Sequence, residues 1–229
     1  MAEAEPGVNA PVPGAFLLPP SFYERDAPTV AAELLGKLVV STAGGAATGG
    51  VIVETEAYLG AGDAGSHAAT KGITKRNAVM YGAPGRAYVY FTYGNHHMLN
   101  LVTEPHGCAG AVLVRALEPT IGLETMRLRR SAGRRGPGRL LADRELTDGP
   151  GKLAAALGLD LTHNGGPLDG SASLAVYDVG AAVGAVATSG RIGLSAGHEF
   201  ELRFFLEGNP YVSTGRPGAS PPRVRTRKA

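Results

Sequence analysis

The order of the apolar segments along the chain is the feature that most constrains the fold. Segments with a strand-like pattern follow one another in runs and do not alternate strictly with helices. The pattern predicts strands at 37–40, 50–59, 86–93, 96–102, 109–117, 172–180, 190–194 and 201–206. It predicts helices at 22–36, at 120–130 and from Pro150 to Gly158. Runs of strands are typical of antiparallel sheets, so the sequence predicts an α+β fold, a mixed domain around an antiparallel sheet.

Two of the predicted strands form a hairpin with Gly94 and Asn95 at its turn. Tyr93 lies at the entrance to this turn, where its side chain can project from the tip. A large exposed ring at a hairpin tip is poor for solubility unless it inserts into something. DNA-bending and base-flipping proteins insert such wedges between base steps. The alternative is packing in the core, which we expect for Tyr88.

Acidic and aromatic residues alternate in the predicted strand VIVETEAYL at 51–59. Alternate side chains of a strand share a face, so Glu54, Glu56 and Tyr58 are expected to point the same way. A carboxylate beside an aromatic plane suits an enzyme that hydrolyses a bond while it stacks a flat ring. The alternative is that Glu54 and Glu56 lie on the solvated face of an ordinary antiparallel strand, and the spacing alone favours that alternative.

The segment DGPGKL at 148–153 places two glycines, a proline and Lys152 at a predicted helix start, which Thr147 and Asp148 can cap. Free amides and the partial positive charge of a helix start, together with Lys152, make a seat for a phosphate. The motif GxxxxGK[ST] is absent from the segment, so a nucleic-acid phosphate fits better than a nucleoside triphosphate. The alternative is a plain helix start with a solvated lysine.

Positive charge is clustered, although the net charge is only +2. The arginines between positions 127 and 144 are Arg127, Arg129, Arg130, Arg134, Arg135, Arg139 and Arg144. This cluster and the basic segment 216–229 indicate a side that faces a polyanion. The alternative is a solvated loop followed by a solubility tail.

The two ends of the chain have the composition of flexible segments. We expect residues 1–15 to form a flexible leader, because they have neither the basic start nor the apolar stretch of a signal peptide. We expect residues 216–229 to form a basic flexible tail. No apolar run approaches the roughly 20 residues of a membrane span, so we expect no membrane contact and a soluble, cytoplasmic protein.

The sequence offers no pattern of metal ligands. The six histidines show no ligand spacing with carboxylates, and the HExxH motif is absent. The single cysteine, Cys108, excludes an internal disulfide, and its small apolar neighbours predict a buried thiol. A serine nucleophile elbow and a GxGxxG fingerprint are also absent from the sequence, so we expect neither a metal nor another cofactor.

Several motifs follow one another from about residue 17 to about residue 213. They are ETEAYLG (54–60), His67, Thr74-x-Arg76-Asn77, PGRAYVYFTYG (84–94), Asn100, VLVRALEP (112–119), GLETMR (122–127) and DGPGKL (148–153). In this combination the chain closely resembles the alkyladenine (3-methyladenine) DNA glycosylases. The resemblance implies that residues 16–215 form one glycosylase domain between the leader and the tail.

The resemblance implies a monofunctional base-excision repair enzyme that works without a cofactor. The family has a single mixed domain with a curved antiparallel sheet and a protruding β-hairpin that enters the DNA minor groove. The implied partner is double-stranded DNA with alkylated or deaminated purines, and the implied protein is a monomer. Among the lesions, cationic 3-methyladenine is the first expectation, and hypoxanthine, ethenoadenine and 7-methylguanine are further candidates without an order among them.

The resemblance also implies roles for individual residues. Glu56 matches the general base, and Arg115 matches a residue that helps to hold the water and the phosphate. The residues that match those around the flipped base are Tyr58, His67, Tyr90 and Asn100, of which Asn100 opposes the exocyclic amine of guanine. The implied DNA contacts are Tyr93 as the intercalating wedge, Asn95, Thr74, Arg76 and Lys152. Asn95 stands where the better-known eukaryotic members have a hydrophobic residue, so the hairpin tip is more polar here.

Three other functions stay open at this point. A catalytically silent nucleic-acid-binding module would have no need to keep Glu56, Tyr58, Asn100 and Arg115 together. A hydrolase of free nucleosides would need neither the Tyr93 hairpin nor the phosphate seat. A metal hydrolase is disfavoured by the missing ligand spacing.

Overall fold

The computed structural model describes residues 12–69, 72–92, 94–132, 139–194, 196, 197, 199–215 and 217. Most of the predicted leader and tail, and Tyr93, therefore lie outside the described residues. The strands are β1 (Phe16–Leu17), β2 (Leu38–Ser41), β3 (Thr48–Tyr58), β4 (Ala87–Thr92), β5 (His96–Val102), β6 (Ala111–Ile121), β7 (Leu174–Asp178), β8 (Val186–Ser189) and β9 (Arg203–Leu206). The helices are α1 (Pro20–Tyr23), α2 (Ala27–Glu33), α3 (Leu123–Ser131), α4 (Arg144–Thr147) and α5 (Pro150–Ala156). Short 3-10 turns cover Ala43–Gly45, Ala78–Tyr81 and Leu161–His163.

All of these strands belong to one curled antiparallel sheet. Its order is β1-β7-β2-β3-β6-β5-β4, and β8 joins it through β9, which pairs with β3. The strand β3 is central because β6 pairs along one side of it, while the other side pairs first with β2 and then with β9. Register shifts on either side of Glu54 bend β3 where its partner changes. The predicted α+β fold and antiparallel sheet are therefore confirmed.

The hairpin of β4 and β5 has packed side chains on both of its faces. Val89 belongs to the main core, where α2 packs on β3 and α5 packs on β5 and β6. Tyr88 belongs to a smaller cluster on the opposite face, against which Tyr90 packs. The hairpin itself forms as predicted, with Ala87 opposite Leu101 and Thr92 opposite His96.

Two predicted helices differ from the observed ones. The helix predicted at 22–36 is divided into α1 and α2, because Asp26 begins a new helix by accepting a hydrogen bond from Thr29 N at 2.9 Å. The cap predicted for α5 is wrong, since Gly149 takes the N-cap position. Thr147 instead donates its hydroxyl to the carbonyl oxygen of Leu117 at 2.6 Å, which fixes α4 to β6.

The prediction of a strand at 190–194 is wrong, and so is the predicted burial of Cys108. The strand lies earlier, at Val186–Ser189, and the segment after it leaves the sheet so that Arg191 can enter the interior. Cys108 is exposed, because it lies in the turn between β5 and β6. None of the helices in the described residues has the length and apolar character of a membrane span.

Candidate active site

Both carboxylates of β3 are fully buried. Glu54 and Glu56 are 0% exposed, so the alternative of a solvated strand face is wrong. A buried carboxylate is costly unless donors surround it. Each of the two has such donors, and Arg115 from β6 connects them.

Glu56 is held by three donors from three parts of the chain. Its Oε1 accepts a hydrogen bond from Ile192 N at 2.7 Å and lies 3.1 Å from Arg115 Nη1. Its Oε2 accepts a hydrogen bond from the Tyr58 hydroxyl at 2.9 Å. Burial, and after it the Glu56 carboxylate, raises the pKa of Tyr58 well above its ordinary value, so the phenol stays protonated at neutral pH.

The Glu54 carboxylate compensates the positive charges of Arg115 and Arg203. Its Oε1 accepts from Arg115 Nε at 2.8 Å and from Arg203 Nε at 2.6 Å, and its Oε2 accepts from Ser213 N at 2.7 Å. Burial opposes the charge of Glu54, but Arg115 and Arg203 outweigh it and hold the pKa of Glu54 below its ordinary value. Burial likewise opposes the charge of Arg115, and Glu56 and Glu54 outweigh it and raise the pKa of Arg115. Glu54 therefore stays an anion that fixes Arg115.

An aromatic wall formed by His67, Tyr88 and Tyr90 lies on the face of the hairpin that points away from the main core. The ring centroids of His67 and Tyr90 are 4.7 Å apart at an interplanar angle of 75°. The centroids of Tyr88 and Tyr90 are 5.3 Å apart, and His67 Nδ1 lies 3.0 Å from the Tyr88 hydroxyl. Burial, followed by the charge of Arg76, lowers the pKa of His67, so its imidazole is neutral at pH 7. The expected core packing of Tyr88 is confirmed, since it is 1% exposed.

Asn77 organises the loop that presents this wall. Its Nδ2 donates to the carbonyl oxygens of His67 and Gly72, each at 2.9 Å. Its Oδ1 accepts from Thr74 N at 2.6 Å, so Thr74 helps to fix the loop. The Arg76 guanidinium lies 4.9 Å from the centroid of the Tyr90 ring. Of the two predicted DNA contacts in this loop, Arg76 borders the aromatic wall and Thr74 holds the loop in shape.

Asn100 lies beside the aromatic wall, on the strand that returns from the hairpin. It is buried, stands opposite Tyr88 in the register of β4 and β5, and donates Nδ2 to the Tyr88 carbonyl oxygen at 3.0 Å. Asn95 is exposed in the hairpin turn. The predicted wedge, Tyr93, lies outside the described residues.

The segment DGPGKL packs against the hairpin near its turn, where β5 begins at His96. A Cβ atom at Gly151 would lie 2.8 Å from the His96 ring, so close packing explains this glycine. Lys152 is partly exposed and pairs with Asp148, the Nζ–Oδ1 distance being 2.8 Å. Lys152 is thus placed beside the hairpin, and the structure gives it a protein partner that the sequence pattern did not predict.

Several arginines of the predicted basic cluster bind other parts of the protein. Arg127 pairs with Asp143, and Arg139 pairs with Glu145. Arg129 donates from Nη1 to the carbonyl oxygen of Ala156 at 3.1 Å. These contacts give part of the cluster a role within the folded protein. Arg134 and Arg135 lie outside the described residues.

Sequence reasoning missed four residues that complete the site. Arg203, Ser213 and Ile192 supply donors to Glu54 and Glu56, and Arg191 covers the Tyr58 ring from 4.7 Å. Neither their spacing nor their type marks them in the sequence, because their partners are more than a hundred residues away. Among the described residues, no three His, Cys, Asp or Glu side chains form a group that could hold a metal ion.

Comparison with known proteins identifies related sequences over most of the chain. The family profile described as Methylpurine-DNA glycosylase (MPG) matches residues 21–210. A protein of Chlorobaculum tepidum is 43% identical over 201 residues, which cover 87% of this chain and 92% of the relative. A protein of Rhodopseudomonas palustris is 44% identical over 209 residues, covering 90% of this chain and 96% of the relative. A protein of Carboxydothermus hydrogenoformans is 44% identical over 200 residues, which cover 86% of this chain and 99% of the relative. All three relatives carry the name "Putative 3-methyladenine DNA glycosylase".

Proposed function

The chain belongs to the methylpurine-DNA glycosylase family, and we propose that it flips an alkylated or deaminated purine out of duplex DNA and hydrolyses its N-glycosidic bond with a water activated by Glu56. Membership of the family makes it a DNA glycosylase of DNA repair. The observation that carries the finer proposal is the fully buried Glu56 carboxylate, held between Arg115, Ile192 N and Tyr58.

Glu56 is the group that takes a proton from the attacking water in this proposal. A carboxylate also faces the positive charge that develops on the sugar as the bond to the base breaks. Arg115 holds the water and the phosphate beside Glu56. Sugar glycosidases usually use a second carboxylate as the acid, but Glu54 is fully committed to Arg115, Arg203 and Ser213. A purine such as 3-methyladenine is already cationic, so it leaves without an acid.

The aromatic side chains Tyr58, His67 and Tyr90 receive the flipped base in this proposal. A delocalised cationic ring is attracted to aromatic faces more strongly than a neutral ring, which favours alkylated purines. The neutral imidazole of His67 avoids a repulsive charge beside such a base. Selectivity then comes from charge as well as from shape.

The hairpin of β4 and β5 provides the contact with DNA in this proposal. Tyr93 fills the gap that the flipped base leaves, and the polar Asn95 meets the opposite strand. Thr74, Arg76 and Lys152 lie toward the duplex, with Arg76 moving from the Tyr90 ring to a phosphate. The protein acts as a monomer, because one wedge and one pocket are sufficient for one lesion.

An excision panel tests the proposed function. Wild-type protein is incubated with duplexes that carry a single 3-methyladenine, 7-methylguanine, hypoxanthine or ethenoadenine, and the released base and the abasic site are measured. We expect an abasic product from 3-methyladenine in the presence of a chelator. Strand cleavage should follow only after alkali, because water and not an amine attacks the sugar. Absence of excision from all four duplexes would refute the proposal. Hydrolysis of a free nucleoside at a rate that duplex DNA does not reduce would instead indicate a nucleoside hydrolase.

Asn100→Ser should relax the exclusion of guanine-type lesions. Guanine carries an exocyclic amine in the minor groove that hypoxanthine lacks, and serine leaves space for that amine where the asparagine amide stands. Steric sites discriminate by about 1–3 kcal/mol, so we expect the excision ratio of 7-methylguanine to hypoxanthine to rise about tenfold. Asn164→Ser is the matched control, because Asn164 Oδ1 also binds the β4 backbone, accepting from Val89 N at 3.0 Å. An unchanged ratio for Asn100→Ser would leave Asn100 only the role of tying β4 to β5.

Lys152→Ala should make duplex binding less sensitive to salt. Each phosphate contact contributes close to one unit to the slope of log affinity against log salt, so the slope should become shallower by about one unit. The control is Lys37→Ala, since Lys37 pairs with Asp178 at 2.6 Å at the opposite end of the sheet. Equal slopes for wild type and Lys152→Ala would show that Asp148, and not a phosphate, is the partner of Lys152 in the complex.

A further inference from the structure

A second buried ion pair lies next to the candidate site and is not used by the proposed chemistry. Arg191 Nη1 lies 2.6 Å from Asp63 Oδ2, and Arg191 Nη2 lies 2.6 Å from Asp63 Oδ1. Both side chains are 0% exposed. A buried pair of this kind contributes little net stability, because removing two charges from water costs about as much as the pair gains. Its presence beside the site therefore calls for a second explanation.

The Asp63 carboxylate closes the loop that leads from Tyr58 to His67. Its Oδ2 also accepts from Leu59 N at 3.0 Å, and its Oδ1 accepts from Gly65 N at 2.9 Å. Since Leu59 follows Tyr58 directly and Gly65 precedes His67 by two positions, one carboxylate fixes the segment that connects two of the proposed base contacts. The loop keeps this shape only while Asp63 accepts these hydrogen bonds.

The Arg191 guanidinium connects that loop to the donor of Glu56. Its Nη1 donates to the Ala57 carbonyl oxygen at 3.0 Å, within the strand that carries Glu56 and Tyr58. The next residue, Ile192, donates its N–H to Glu56 Oε1 at 2.7 Å. A displacement of Arg191 would therefore move the amide that orients Glu56.

The packing around this pair is tight enough to require glycine at two positions. A Cβ atom at Gly65 would lie 2.8 Å from Arg191 Nη2, and one at Gly197 would lie 2.9 Å from the same atom. Gly197 also has a φ of +76°, a conformation that favours glycine. The guanidinium is thus enclosed on several sides, and the close packing leaves it little room to move.

Arg191 also covers one face of the Tyr58 ring. The guanidinium carbon lies 4.7 Å from the ring centroid. Because this guanidinium is buried and held by Asp63, that face of Tyr58 is closed to any other planar group. A base can stack only on the opposite face of the ring.

We propose that Asp63 and Arg191 are positioning residues of the lesion pocket, which together fix the Tyr58 face that receives the base and the Ile192 amide that orients Glu56. This inference rests on the proposed function. The pair itself adds no net charge to the pocket, since Asp63 compensates the cation behind Tyr58. A cationic base stacked on the open face would lie about 8 Å from that cation, close enough for repulsion at the effective dielectric constant of about 20 found in proteins.

Arg191→Lys is the first test, because it keeps the charge and loses the planar fork that binds Asp63 and covers Tyr58. We expect the single-turnover excision rate of 3-methyladenine at 25 °C to fall at least tenfold, while affinity for undamaged duplex and the circular dichroism spectrum stay unchanged. The matched control is Arg129→Lys, since Arg129 also holds buried backbone, donating to the Ala156 carbonyl oxygen at 3.1 Å, but lies away from the site. An excision rate for Arg191→Lys within twofold of wild type, or an equal loss in Arg129→Lys, would overturn the proposal.

Asp63→Asn gives a second readout that a loss of general stability would not change. It keeps the shape of the side chain and leaves the Arg191 charge uncompensated behind Tyr58. We expect excision of cationic 3-methyladenine to fall about tenfold further than excision of neutral hypoxanthine. Equal losses for the two lesions would overturn the role of the pair in the pocket. Absence of excision by the wild-type protein from all four duplexes of the panel would refute the proposed function itself, which is a different result.

Discussion

Glu56→Gln should nearly abolish excision of 3-methyladenine while binding of duplex DNA survives. General base catalysis typically contributes 10²- to 10⁴-fold, so we expect the single-turnover rate to fall by about a thousandfold. The amide cannot take a proton from water, and the loss therefore appears in the transition state and not in the affinity for DNA.

The fold should tolerate this change. The Tyr58 hydroxyl, which now donates to Glu56 Oε2, can turn and accept from the glutamine amide. The remaining oxygen can still accept from Ile192 N, and Arg115 keeps its contact with Glu54. Glu124→Gln serves as the control, because Glu124 has a largely exposed side chain on α3. Retention of more than about a tenth of the wild-type rate would show that another group activates the water.

Glu54→Gln should destabilise the folded protein more than any surface substitution. It removes the anion between Arg115 and Arg203 and leaves buried positive charge without compensation. Breaking a buried pair in this way costs about 3–5 kcal/mol, measured as the free energy of unfolding in urea at pH 7. Glu33→Gln is the control, since its pair with Arg25 is exposed and such pairs contribute about 0–1 kcal/mol. A loss for Glu54→Gln no larger than that of Glu33→Gln would contradict the burial of this charge network.

The pH dependence of stability gives a second measure of the same network. The pKa of Glu54 is lower in the folded protein than in the unfolded chain, so its contribution is fully present above the unfolded value of about 4.3. The contribution is lost as the pH falls through the lower folded pKa. Between about pH 4.3 and more acid values, wild type should therefore lose free energy of unfolding faster than Glu54→Gln. Parallel curves for the two proteins would indicate that Glu54 does not titrate with unfolding.

Local sequence signals were sufficient for the elements that depend on neighbouring residues. The hairpin turn at Gly94 and the helix that begins at Pro150 follow from interactions within a few positions. The divided helix at 22–36 also had a local cause, because Asp26 and Pro28 begin a helix better than they continue one. The strand predicted at 190–194 failed for the opposite reason, since burial of Arg191 against Asp63 outweighed the local preference.

The burial of the two carboxylates could not be predicted from the strand pattern. Alternation correctly placed Glu56 beside Tyr58, but it could not distinguish a solvated face from a charged interior. The distinction depends on Ile192, which lies 136 residues from Glu56, and on Arg203 and Ser213, which lie 149 and 159 residues from Glu54. Gly151 is similar, because its need for a small residue comes from His96 on another element.

The change of partner along β3 has a consequence for the order in which a nascent chain matures. A ribosome delivers β3 and β6 together with Arg115 well before it delivers β9, so the middle of the sheet can form while the far end of β3 has one edge unpaired. Until Arg203 and Ser213 emerge, two acids face a single arginine in that interior. The part of the chain that is made first can therefore pair β2, β3 and β6, but it cannot complete the site, because the residues that neutralise and close it are delivered last.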